Sequence, residues 1–209
     1  MRFSFSSLLS WIISIIFHPI AYVSFAAFLL LNVLPEFAYL HDEVKYMYLY
    51  RVVLLTYVFP IAAIPLYLLL SRLFRLKRDP YHTRIFLLIL TSFMYVFAYN
   101  ILKQYMVFSY INVFLLLSAI LLFISLIITY FWRISLHMIG AGAFFGLFLT
   151  LLFFRDMYLF TYIIFSALIC GFVGFARLYL KAHNQSQIYV GFSVGLSVSV
   201  LFYFFLFLT

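Results

Sequence analysis

Arg177-Leu178-Tyr179-Leu180-Lys181-Ala182-His183-Asn184-Gln185-Ser186-Gln187 is the stretch on which the chain turns. Long apolar segments flank it on both sides. An Arg and a His held at the edge of apolar runs are functional candidates, because burying either beside a bilayer is costly. Two further polar islands interrupt the chain in the same way. Lys77 and Arg84 stand with six residues between them, and Ser135 and His137 with one.

The composition sets the class. The 209 residues are 68% hydrophobic and 23% aromatic, and only 9% are charged. A soluble domain carries about 25% charged residues. The expectation is an all-α integral membrane protein, a bundle of six to seven transmembrane helices forming one polytopic domain over residues 1–209. A net charge of +8 does not point to nucleic acid here, because the basic residues are scattered at the ends of apolar runs. That placement suits membrane topology and anionic head groups. Cys170 is the single cysteine, so no intramolecular disulfide is possible. The five His and five acids show no His-Glu-x-x-His or similar spacing, so neither a metal nor a cofactor is expected.

Apolar runs bounded by polar residues place the spans. Residues 3–17 lead to His18-Pro19, and Pro is tolerated at a helix start but breaks an interior. Either one kinked span covers about 8–34, or a short interfacial helix precedes a span at about 19–34. Pro35 to Tyr50 reads as a solvated connection. Six spans follow, at about 51–73, 85–102, 107–131, 136–154, 157–178 and 188–208, a helical core over 51–208. Pro60 and Pro65 should kink the first of these. Lys103-Gln104 and Arg155-Asp156 read as turns. Glycines at 140, 142 and 146, at 171 and 174, and at 191 and 195 allow close helix contact. Counting crossings from the Lys77–Arg84 island, two hairpins return the chain to the same membrane face at Ser135 and again at Arg177.

Three islands in this order resemble the type 2 phosphatidic acid phosphatase superfamily of membrane lipid phosphatases, over residues 77–187. The family's first motif is Lys, six residues, Arg, then usually Pro; here it reads Lys77 to Arg84, followed by Ile85. Its second, Pro-Ser-Gly-His, reads Ile134-Ser135-Leu136-His137. Its third, Ser-Arg, five residues, His, three residues, Asp, keeps Arg177 and His183, with Ala176 for Ser and Gln187 for Asp.

The resemblance implies that His183 is the nucleophile, forming a phosphohistidine, and that His137 is the acid and then the base. Both steps suit a group titrating near neutral pH. Lys77, Arg84 and Arg177 supply cations for a phosphate, Arg as a planar fork and Lys as a point charge. Ser135 adds a hydroxyl at a helix start that favours anions. Gln187 can orient His183 without adding charge. His82 and His18 are possible substrate contacts, and His41 falls on the other face. The partner implied is a lipid phosphate or diphosphate drawn from the bilayer, with no nucleic acid.

Blander readings stay beside these. Arg177 and His183 suit interface anchors, Lys77 and Arg84 flanking charges, and Ser135 and His137 a polar helix start. A catalytically weak or inactive lipid-binding or complex subunit is the alternative function; a small transporter is disfavoured because the proposed spans hold almost no charge. Of thirteen Lys and Arg, nine lie on the island face and four on the other. Positive charge marks the cytoplasmic side, but three of the nine belong to the phosphate hypothesis. The resemblance implies a bacterial inner membrane and a periplasmic site, with Thr209 in the cytoplasm.

Overall fold

The computed structural model describes residues 5–73, 79–105, 109–154 and 159–208. Every regular element among them is helical. In order these are α1 (Phe5–Ile16), α2 (Ala21–Val33), a 3-10 turn (Pro35–Phe37), α3 (Asp42–Val53), a π-helical turn (Leu54–Val58), α4 (Phe59–Leu73), α5 (Pro80–Leu102), α6 (Ser109–Phe131), α7 (Leu136–Phe154), α8 (Phe160–Tyr179) and α9 (Gln185–Leu208). Among the described residues six stretches are long and apolar enough to cross a membrane, Asp42–Leu73, Pro80–Leu102, Ser109–Phe131, Leu136–Phe154, Phe160–Tyr179 and Gln185–Leu206, and α1 with α2, bent by 71° at their break, make a seventh if the pair is one span. Residues 5–33 are not one continuous helix. The chain breaks at 17–20, where Pro19 cannot donate a backbone hydrogen bond. The expected turn at Arg155-Asp156 lies outside the described residues, as does Lys77.

One expectation is corrected. Pro35 to Tyr50 is not a loop, because α3 already begins at Asp42. Asp42 and Glu43 occupy its first turn and Arg51 its last, the charge order that a helix dipole favours. The helix therefore runs 32 residues, from Asp42 to Leu73. At about 1.5 Å per residue this exceeds the roughly 30 Å apolar thickness of a bilayer, so its polar first turns are surplus to a crossing. Pro60 follows the π-helical turn closely. Its ring excludes a bond to the Thr56 carbonyl, and the helix widens into the π turn just before it. The buried Tyr95 hydroxyl donates to that carbonyl at 3.1 Å, so the group released by proline is satisfied from another helix.

The chain forms two compact units. One comprises residues 23–131. In it α5 and α6 make an antiparallel hairpin closed by buried Asn112. The Asn112 amide donates to the carbonyls of Leu102 (3.2 Å) and Tyr105 (3.3 Å), and its oxygen accepts from Tyr48 Oη at 2.7 Å. Large apolar side chains face outward along α5, at Phe86, Phe93 and Phe97.

The other unit comprises residues 1–22 and 132–209. Its tightest pair is α7 with α9. A Cβ added at Gly142 would collide with the Phe192 carbonyl, and one at Gly195 with the Ile139 carbonyl. Backbone therefore meets backbone, as small residues at four-residue spacing permit. Ser199 Oγ donates to the Ala143 carbonyl across the same seam at 3.0 Å. Gly171, expected to serve a close contact, has nothing within 4 Å of its added Cβ. Helix α1 lies against α8 with an inverted pattern: Ser10 and Ser14 are buried, whereas Phe5, Leu8, Trp11, Ile15 and Ile16 are exposed. Apolar residues outside and hydroxyls inside suit lipid surroundings and oppose what water selects.

Candidate functional site

The site in the first-and-last-residue unit is built on one sharp reversal between α8 and α9. Helix α8 ends in a paired closure. The Ala182 N–H donates to the Arg177 carbonyl at 3.1 Å and the Lys181 N–H to the Leu178 carbonyl at 2.9 Å. This Schellman geometry needs a left-handed residue, and Lys181 takes it at φ 51°. A side chain there costs about 1–2 kcal/mol against glycine. The strained turn carries the chain from Arg177, in the last turn of α8, to His183 beside it.

Asn184 and Gln187 then start α9 with a reciprocal cap. The Gln187 N–H donates to Asn184 Oδ1 at 2.9 Å, and the Asn184 N–H donates to Gln187 Oε1 at 3.1 Å. This is a capping box with Asn and Gln in its two places. It has a chemical consequence. Because Oε1 accepts from a backbone N–H, the atom facing His183 is an oxygen, and His183 Nδ1, 3.0 Å away, must be the donor. A neutral His183 therefore carries its lone pair on Nε2. The Gln187 side chain thus meets His183 and caps α9 at once.

Helix α7 is joined to this corner. The Ser135 N–H reaches the Gln187 carbonyl at 3.4 Å, and a Cβ added at Gly191 would lie 2.9 Å from the Ser135 carbonyl. Ser135 is fully buried, and its Oγ has no hydrogen-bond partner. In the first turn of α7, His137 Nε2 lies 3.1 Å from the Ser14 carbonyl of α1. The His18 ring stands edge-on to His137, with centroids 5.4 Å apart. Arg177, His18 and His183 all lie close enough to act on the charge of His137.

The charge balance is one-sided. The unit's described residues include Arg133, Arg177 and Lys181 but no Asp or Glu. Arg133 is near enough to Arg177 to oppose its charge, and the buried Arg177 Nε has no hydrogen-bond partner. Two guanidinium groups near enough to repel, with no carboxylate among the unit's described residues, favour an anion. Among the described residues no three His, Cys, Asp or Glu side chains gather as metal ligands would.

Lys77 is outside the described residues, and Arg84 and His82 belong to the unit of residues 23–131. Asp79 caps α5, accepting from the His82 N–H at 3.3 Å and standing 2.8 Å from His82 Nδ1. His82 is thus engaged in a local cap, and Arg84 follows half-buried in the next turn. Two participants escaped the sequence reading. Asn184 was legible, since Asn-x-x-Gln before an apolar run is a helix-start pattern. The Ser14 carbonyl was not, because a main-chain acceptor leaves no trace in residue identity.

No protein-family model, curated protein or solved structure matches the chain.

Proposed function

We propose that this protein is an integral membrane phosphatase that hydrolyses a lipid phosphate or diphosphate through a phosphohistidine on His183. The observation that carries the reading is the convergence of Ser135, His137, Arg177, His183 and Gln187 at one corner that holds cationic side chains and no described carboxylate. Residues from two of the three islands meet there although about 40 positions separate them in the chain. The outward apolar side chains and the six long apolar helices support the membrane assignment.

The proposed cycle uses two half-reactions. His183 Nε2 attacks phosphorus, the bond from phosphorus to the leaving oxygen breaks, and a proton from His137 goes to that oxygen. Water then attacks the phosphohistidine, its proton returns to His137, the phosphorus–nitrogen bond breaks, and inorganic phosphate leaves. Arg177 and the Ser135 hydroxyl bind the phosphoryl oxygens and stabilise charge that develops on them. Lys77 and Arg84 are proposed to add to that charge, with His18 and His82 as further substrate contacts. The cations do this work with no cofactor. Phosphate release from a panel of phosphatidic acid, phosphatidylglycerol phosphate, undecaprenyl diphosphate and lipid A phosphates tests the reading. Release from at least one lipid is expected; release from none overturns it in favour of a catalytically weak or inactive lipid-binding or complex subunit.

One feature favours that second reading: Gln187 where the family has Asp. Its cap suggests a direct experiment. Gln187→Glu keeps an oxygen for the Asn184 N–H and His183 Nδ1 and places a negative charge at a helix start, which the dipole favours. Phosphate release should rise about tenfold, because a carboxylate behind a catalytic imidazole stabilises its charged form. A fall in rate with unchanged thermal stability would mean that a neutral orienter is what this site requires.

We place the site on the periplasmic face of a bacterial inner membrane, with Thr209 in the cytoplasm. A reporter active only in the periplasm, fused to Thr209, should be silent. Strong activity would reverse the orientation and leave the chemistry untouched.

A further inference from the structure

We propose that the short N-terminal helix is a working part of this site, its Ser14 main-chain carbonyl holding His137 in the tautomer opposite to that of His183. The inference rests on the phosphatase reading for its kinetic consequence but not for its geometry.

The local bonding explains why that carbonyl is available. In a continuing helix the His18 N–H would donate to the Ser14 carbonyl. Here α1 tightens at its end, and the His18 N–H turns instead to the Ile15 carbonyl at 3.3 Å, while the Phe17 N–H keeps the Ile13 carbonyl at 3.0 Å. Position 19 is proline, so no N–H at that position can take Ile15 and send His18 back to Ser14. A carbonyl at a helix C-terminus is thereby left for a side chain, and His137 Nε2 meets it at 3.1 Å.

A carbonyl oxygen only accepts, so Nε2 must carry the hydrogen. The nitrogen that His137 has left for chemistry is Nδ1. His183 is the mirror case, with its hydrogen on Nδ1, which donates to Gln187 Oε1. One imidazole is thus fixed by a side chain across a helix start and the other by main chain at a helix end. The two ends also differ in electrical sense. The C-terminal end of α1 presents partial negative charge to the ring. The charged and titratable groups around His137 are Arg177 on α8, His18 in the α1–α2 break and His183 in the α8–α9 turn. All three are cationic or become so on protonation, and among the groups described around His137 the Ser14 carbonyl is the one that opposes them. Ser14 is therefore a positioning residue acting through its backbone, and Nδ1 delivers the proton to the leaving oxygen.

Nitrogen-15 spectra of the ring nitrogens in the intact protein test this directly. The neutral His137 ring should show a protonated Nε2 and a bare Nδ1, and His183 the reverse. Replacing Ile15 by its α-hydroxy acid turns the Ser14 carbonyl into an ester carbonyl, a weaker acceptor. Pro19→Ala supplies an N–H that lets His18 compete for the same oxygen. Both changes should erode the His137 preference, and phosphate release should fall about tenfold, the usual loss when an orienting partner is removed. A wild-type His137 with the hydrogen on Nδ1 overturns the proposal, as does an ester variant with unchanged ring signals. If no lipid is hydrolysed at all, the phosphatase reading fails while the tautomers still decide this one.

Discussion

Under the proposed phosphatase function, His183→Ala is expected to abolish phosphate release, a fall of at least about a thousandfold, while the purified protein keeps its thermal stability. The size follows from the role: removing a nucleophile removes the covalent route altogether, and such losses commonly reach many powers of ten. The preserved fold follows from the structure. The His183 ring is only partly buried, and the cap of α9 does not depend on it, because Gln187 Oε1 still accepts from the Asn184 N–H when the imidazole is gone. Residual release above about a tenth of wild type would remove His183 from the nucleophile's place. His137→Ala gives a complementary result. Without its acid and base both half-reactions should slow, and trapping of an acid-labile phosphohistidine in rapid-quench samples is the expected sign of the covalent route.

Gly195→Val is expected to unfold the protein at a temperature lower by about 6–12 °C, corresponding to about 3 kcal/mol for a chain of this size. Its Cβ would overlap the Ile139 carbonyl and lie 2.9 Å from the Ala143 nitrogen, and both are backbone atoms of a helix with no rotamer to change. The only relief is separation of α7 from α9, which also pulls Gly191 from the Ser135 carbonyl and opens the Ser135–Gln187 bond. Gly171→Val is the control. Nothing lies within 4 Å of its added Cβ, so the change should stay within about 0.5 kcal/mol. Thermal unfolding of the two variants in the same detergent separates the cases. Equal stability would mean that the α7–α9 seam tolerates a gap.

The chain's helices were largely legible because an apolar run of about 20 residues between charges has few alternatives to a helix. Residues 136–154 coincide with α7, and 157–178 and 188–208 differ from α8 and α9 by a few positions at their ends. Where legibility failed, a local rule was overridden or unused. The acids and Lys45 at 42–45 suggested solvent, yet acids at a helix start stabilise it, so α3 begins there. Pro60 frees the Thr56 carbonyl, and the hydroxyl that satisfies it comes from 39 residues away, where no local pattern points to it.

The residues at the site were named by sequence alone, because Ser135, His137, Arg177, His183 and Gln187 are polar islands where burial of polarity needs a reason. What those residues can do was decided by tertiary structure. Which nitrogen each histidine offers depends on an oxygen brought to it: a side-chain oxygen fixed by the Asn184 N–H for His183, and a main-chain oxygen from 123 positions away for His137. Residue identity specifies that an imidazole has two nitrogens. Only the folded chain, by placing a single acceptor against one of them, distinguishes the two.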